Sequence, residues 1–443
     1  MARRVSKIVW LNGLSLSALA TTVLITGLMG RSHVAQGCSN FWINPQTGSQ
    51  ECLDGVSTPS STVGGALGSS GSQTPNRDVS VVNTQRSAPL TNQQIQSARP
   101  HLNPLQPPDT RAVRPSPTLE GTQGAISSQG STPRAFGSFG VPYTAARVSH
   151  SPTSAVAANN AGYLSATYPY RAIGRLTFRV GNGSSLCSAS LIRRSVIVTA
   201  AHCIQNFGSG NNIFNSWTYT PASYNGSAPY GSYGWLALVR PVTWANGTDP
   251  GSGAARNNDL AVIALGKDSS NRFVGDLTGY FNYGWGNYSF VSHPRTGNLA
   301  VAALSTLGYP GLLDAGRIMQ RTDGPSYLTT VGGAFQIYQG STLTGGSSGG
   351  PWIANFKYQD PAFSGGAGPG SAAANNVVVG VTSWGAADPN VPKDNFSSQF
   401  RQNPQYPNAD YGGRGAGNIG ALLNTLCSAV VGGSTLAAQG YCN

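Results

Sequence analysis

The chain has 443 residues, of which only 9% are charged, with two glutamates and four lysines; an average soluble domain carries about 25% charged residues. Gly, Ser, Asn, Thr and Ala fill the space, a composition that suits a β-rich exported protein better than a helical cytosolic one. The net charge of +12 is shared between the two ends of the chain. It forms no basic helix and no arginine run interleaved with aromatics, which sets nucleic-acid binding aside. Five histidines without a Cys-x-x-Cys make a zinc site an unpromising reading.

Residues 1–7 carry Arg3, Arg4 and Lys7, residues 8–30 are mainly apolar, and Ala35-Gln36-Gly37 offers small residues for cleavage before Cys38. This is the pattern of a secretory signal peptide over residues 1–37. An uncleaved anchor is the alternative, because the apolar stretch is long enough to span a bilayer; a lipid-modified Cys38 is a third. Cleavage predicts a protein that is secreted, periplasmic or held at the cell surface, with no stable membrane insertion. The six cysteines fall into three local pairs, Cys38/Cys52, Cys187/Cys203 and Cys427/Cys442. Paired spacing behind an export signal argues for disulfides in an oxidising compartment.

Residues 38–55 read as a small disulfide-closed hairpin. Phe41, Trp42 and Ile43 supply apolar strand residues, and residues 44–48, Asn-Pro-Gln-Thr-Gly, supply turn chemistry. A docking or sugar-binding module and an inert stapled knob are both open. Residues 56–165 are rich in Ser, Thr, Gln, Asn, Pro and Gly and lack apolar periodicity. Such a stretch buries too little surface to offset its chain entropy, so a disordered propeptide or linker is expected, with its arginines as nicking sites.

From residue 166 the pattern changes to many short strands with turn signals and no long helical period, which predicts an all-β barrel protein. Strands are expected near residues 169–178, 186–192, 195–199, 235–239 and 260–265, then 299–307, 326–331, 334–338, 350–353 and 377–384. Residues 362–374 read as a surface insertion. Residues 418–431 read as a C-terminal helix with Ile419, Leu422, Leu423 and Leu426 as its buried stripe, ended by Gly432-Gly433.

Three stretches carry chemistry. Residues 195–203, Ser-Val-Ile-Val-Thr-Ala-Ala-His-Cys, form an apolar strand that ends in His202 and Cys203. Residues 257–265, Asn-Asn-Asp-Leu-Ala-Val-Ile-Ala-Leu, place Asp259 at the start of another. Residues 344–351, Thr-Gly-Gly-Ser-Ser-Gly-Gly-Pro, place Ser348 on a tight glycine turn. A serine hydroxyl is a poor nucleophile until a base takes its proton. An imidazole titrates near neutrality and can take that proton and return it. A carboxylate can orient the imidazole. Asp249, in a turn, and Asp268, beyond the strand, are weaker candidates for the orienter. Ser347 is a weaker nucleophile, because only Ser348 is followed by Gly-Gly-Pro.

With these motifs in the order His, Asp, Ser, the chain over residues 168–443 resembles the trypsin/chymotrypsin-fold serine endopeptidases, within them the bacterial secreted branch that includes the glutamyl endopeptidases. The resemblance implies two antiparallel β-barrels packed face to face within a protease domain spanning residues 166–443. The barrel at about 168–275 would carry His202 and Asp259. The barrel at about 276–443 would carry Ser348, an oxyanion hole from the amides of Gly346 and Ser348, and a substrate strand at Ser383-Trp384-Gly385. The family's bridge beside the histidine loop would join Cys203 to Cys187, and the Ser383 hydroxyl would support Asp259. The implied protein is a monomeric endopeptidase that acts on polypeptides through an acyl-enzyme, with no metal or organic cofactor.

The chain also departs from the family. Ser347 stands where trypsin and chymotrypsin carry the aspartate that pairs with a newly formed N-terminus, so any maturation is expected to act by removing a cover. Thr342 replaces trypsin's acidic pocket base, and Thr382 replaces the histidine of the glutamyl endopeptidases. Thr342, Leu343 and Thr382 therefore suggest an uncharged substrate pocket. A non-catalytic extracellular binding protein on the same scaffold and an esterase are the rival readings.

Overall fold

The computed structural model describes residues 41–43, 50–52, 79–82, 89–105, 141–149, 164–358, 374–385 and 393–443. Residues 1–65 form a unit of their own. In it Phe41–Ile43 (β1) pairs antiparallel with Gln50–Cys52 (β2), Phe41 facing Cys52 across the ladder. The leader and the Cys38–Cys52 pairing lie outside the described residues.

The second unit opens with four short elements: β3 (Val79–Val82), α1 (Asn92–Ser97), β4 (Arg99–Pro100) and β5 (Thr144–Arg147). Then come β6 (Ile173–Val180), β7 (Gly183–Arg193), β8 (Val196–Thr199), β9 (Asn215–Pro221), β10 (Tyr233–Pro241), α2 (Val242–Asn246), β11 (Ala261–Leu265) and α3 (Val274–Thr278). Strands β6 to β11 pair in the order β11-β8-β7-β6-β9-β10, and β10 pairs back onto β11, closing a six-stranded antiparallel barrel. Closure removes the free edges that an open sheet would expose.

The remaining elements are β12 (Asn282–Tyr283), β13 (Val291–Ser292), β14 (Ala300–Gly308), β15 (Gln320–Val331), β16 (Ala334–Gly340), β17 (Pro351–Ala354), β18 (Val377–Gly385), β19 (Asp394–Gln399), α4 (Gly417–Ser428), β20 (Val430–Val431) and β21 (Ser434–Thr435). Strands β14-β17-β18-β19-β16-β15 form a second ring, closed by eight residue pairs between β14 and β15. Every residue of β8, β11 and β17 is buried, as expected where strands line a filled barrel.

Helix α4 lays Ile419, Leu422, Leu423 and Leu426 into the same core as β8 and β11. It ends at Ser428, earlier than Gly432-Gly433 suggested, and the two glycines instead turn the β20–β21 hairpin. Cys427 is joined to Cys442, and Cys187 to Cys203. The insertion at 362–374 lies almost wholly outside the described residues.

The stretch 56–165 departs from the expectation of a structureless linker wherever it is described. β3 pairs with β10, β4 pairs in parallel with β7, and β5 pairs with β15, so this N-terminal segment adds strands to both barrels. Strand addition uses main-chain hydrogen bonds, which need no apolar periodicity, and so composition missed it. Isolated apolar side chains do the anchoring: Leu90, Ile95, Ala98, Val141 and Val148 are buried. A bidentate Arg147–Asp314 pair fastens β5 at 2.7 and 2.9 Å.

Candidate active site

The pairing of β8 with β11 brings His202 and Asp259 together. Ala261 lies opposite Thr199 in an antiparallel register, so the chain leaving β8 and the chain entering β11 meet at one end of the barrel. His202 follows Thr199 by three residues and Asp259 precedes Ala261 by two. Both side chains are fully buried. Asp259 Oδ1 accepts the His202 backbone N–H at 2.9 Å, and Oδ2 lies 2.8 Å from His202 Nδ1. An ionised carboxylate can only accept, so Nδ1 carries the proton and the neutral ring keeps its lone pair on Nε2.

Ser383 Oγ donates to Asp259 Oδ2 at 2.6 Å from across the barrel interface. A β-bulge between Thr382 and Trp384 against β19 aims that hydroxyl. Asp249, the rival carboxylate, serves another purpose. It accepts from Asn258 N at 2.9 Å and Asn258 Nδ2 at 2.6 Å, bracing the residue before Asp259. Burial, against the pull of Asn258, Thr243 and Arg256, pushes its carboxyl up to about 6. Asp268 pairs with Arg272 on the surface.

The turn bearing Ser348 is docked against β7, next to Cys187. Ser188 N donates to the Ser348 carbonyl at 2.8 Å, and Ser188 Oγ donates to the Gly346 carbonyl at 2.9 Å. Gly346 has φ +98° and Gly349 φ +79°, a region other residues rarely enter. At Gly346 a Cβ would also come within 2.6 Å of the Tyr309 carbonyl. Among the described residues the Gly346 and Ser348 amides donate to no protein acceptor. Ser347 is buried with its hydroxyl unpartnered.

Among the described residues the buried His202 Nε2 has no hydrogen-bond partner, so the Ser348 hydroxyl is not bonded to it in this state. The His101 ring stacks beside the His202 ring, at 6.1 Å between centroids and 18° between planes. Phe178 and Phe214 hold His101 edge-on at 5.3 and 5.1 Å. Burial first, and the neighbouring His202 ring second, lower the His101 pKa to about 4, against the smaller raising effects of the His202 backbone and Asp259.

Beside this pair is a cavity of about 170 Å³. Its lining includes Ser348, Leu343, Gly345 and residues 382–385, together with Leu102, Asn103 and Leu105 of the N-terminal segment. Of the residues expected at the pocket, Leu343, Thr382, Ser383, Trp384 and Gly385 are there. Thr342 is not on its wall, and the Thr382 hydroxyl accepts from the Trp352 indole at 3.0 Å. Asn395, unforeseen, closes the cavity. Its Nδ2 donates to the Leu343 carbonyl at 3.0 Å, and its Oδ1 has no partner. One His202 ring nitrogen lies within 4.8 Å of both the Cys187 and Cys203 sulfurs, but those sulfurs are joined to each other and offer no thiolate.

Sequence reasoning missed His101 and its neighbours, yet a local signal exists. Thr91-x-x-Gln94 forms a capping box, Gln94 N donating to Thr91 Oγ1 at 3.2 Å and Thr91 N to Gln94 Oε1 at 2.9 Å.

No curated protein matches the chain. Among solved structures it is similar to the protease Anisep from Arthrobacter nicotinovorans, at 19% identity over 52% of this chain and 91% of that one, with a TM-score of 0.40. It is also similar to a thermostable serine protease, AL20, from an extremophilic microorganism, at 22% identity, 52% and 92% coverage and a TM-score of 0.40. A Glu endopeptidase matches at 20% identity, 54% and 88% coverage and a TM-score of 0.38. The family model described as Trypsin matches residues 165–400, just over half of the chain. The chain belongs to the trypsin family.

Proposed function

We propose that the protein is an exported serine endopeptidase with Ser348 as nucleophile, His202 as base and Asp259 as the group that orients the base. The observation that carries this reading is the buried His202–Asp259 pair, which leaves the His202 Nε2 without a partner among the described residues and open to take a proton. Ser348 Oγ attacks the peptide carbonyl carbon as Nε2 takes the hydroxyl proton. Asp259 stabilises the resulting imidazolium without itself becoming protonated. The Gly346 and Ser348 amides receive the oxyanion, a contribution on the order of 3–4 kcal/mol per donor. Collapse expels the amine, which takes the proton from Nε2, and water then hydrolyses the acyl-enzyme by the same steps. Extended substrate pairs with the main chain of residues 383–385 beside the cavity. The uncharged wall of Leu343, Thr382 and Asn395 favours a neutral side chain at the cleaved residue.

Export rests on the leader pattern and on the two disulfides. Among the described residues no helix is long and apolar enough to cross a membrane. The absent hydrogen bond between Ser348 and His202 is the observation that favours the rival, a non-catalytic binding protein. A fluorophosphonate probe decides between them. Modification of Ser348 that is lost in Ser348→Ala supports the peptidase, and no modification of the folded chain, before or after removal of its N-terminal segment, supports the binder.

A further inference from the structure

The geometry points to residues 98–105 as an internal inhibitor that occupies the peptide-binding cleft and holds the site latent. This rests on the serine peptidase reading and names how that site is regulated. The segment is built to stay in place. Helix α1 and its flanks anchor it through buried Ile95 on the helix, Leu90 before it and Ala98 at its C-cap. Beyond the helix, β4 adds to β7 with Arg99 beside Ser185 and Pro100 beside Leu186, and the His101 N–H donates to the Leu186 carbonyl at 2.8 Å.

The segment then crosses the proposed catalytic groups. His101 stacks beside the His202 ring, and the ring nitrogen that must receive the serine proton is buried in this arrangement. Pro100 and Leu102 press on Gly311 and Gly345, where a Cβ on either glycine would collide with them. Gly345 lies three residues before Ser348, so the strap rests on the nucleophile's own turn. Leu102, Asn103 and Leu105 line the same cavity as Ser348 and residues 383–385. An extended peptide needs that same space, so strap and substrate exclude each other. A mere structural tie between barrels would need neither the His101–His202 stack nor side chains in the Ser348 cavity.

The test uses the full chain. Rates of Ser348 modification by a peptidyl diphenyl phosphonate are compared for wild type and for His101→Gly/Asn103→Gly. Losing these contacts is expected to raise the rate about ten- to a hundredfold, with circular dichroism unchanged. A synthetic peptide of residues 89–105 added to the variant is expected to restore slow modification. Should the double variant not fold, Leu102→Gly carries the same comparison, since Leu102 is 60% exposed yet lines the cavity beside Gly345. Equal rates in wild type and variant, with Ser348 modified in both, overturn the inhibitor and leave the peptidase standing. No modification in any folded chain overturns the peptidase and the inhibitor with it.

Discussion

Acid should loosen the strap, and His101 sets the size of the effect. In the closed form its pKa is about 4, against 6.5 for a free imidazole. The closed state therefore prefers the neutral ring. That preference is fully present above pH 6.5 and is lost as pH falls through 4. Linkage between those two values gives a rise in the open population of about twentyfold from pH 7 to pH 5, or about 2 kcal/mol. The titratable groups facing the ring are His202 and Asp259, and its other neighbours, Phe178 and Phe214, are apolar. His101→Phe keeps a planar ring in the aromatic slot and removes the proton site. Hydrogen exchange of residues 98–105, followed by mass spectrometry at matched pH, measures opening in each. The wild-type-to-variant ratio of opening should rise about twentyfold between pH 7 and 5. A ratio that stays flat would refute the reasoning, because burial of a neutral His101 would then not be what holds the strap.

Two further outcomes probe the scaffold of the site. Asp249 has its carboxyl raised to about 6 by burial, so it favours folding most below its ordinary 3.8, and this contribution is lost as pH rises through 6. Asp249→Asn should flatten about 2 kcal/mol of stability change between pH 4 and 7, read as urea midpoints of both chains across that range; parallel curves would contradict it. Gly349→Ala should destabilise by about 2–4 kcal/mol, because φ is +79° and the new methyl would strike Thr199 Oγ1 and the Ser188 carbonyl. A shift below about 1 kcal/mol in chemical unfolding would mean the turn moves more easily than its packing implies.

The proposed triad was legible because each member follows or precedes something local and apolar. His202 closes the β8 run and Asp259 opens the β11 run. Their pairing register then puts them within hydrogen-bonding reach, which the sequence could suggest only through resemblance. Strands β9 and β19 went unread because they are polar. In β19 all six residues, Asp-Asn-Phe-Ser-Ser-Gln, are buried. Some are satisfied by long-range bonds, such as Ser398 Oγ to the Asn257 carbonyl at 3.0 Å. Asn395 was invisible for the same reason. The strap was lost to composition: its hold comes from main-chain pairing and three anchors spread over nine residues, Leu90 to Ala98, too few to make a periodic signal. The departure at Ser347, by contrast, was readable in advance. A hydroxyl cannot replace an aspartate as partner to a charged terminus, and here it is buried without one.

The most direct measurement is a crystal structure of the full chain after reaction with a peptidyl phosphonate. The account predicts phosphorus bonded to Ser348 Oγ, its oxygen facing the amides of Gly346 and Ser348, and residues 98–105 lifted from His202. Phosphorus on another residue, or a strap still stacked on His202 beside a full-length peptidyl adduct, would contradict it.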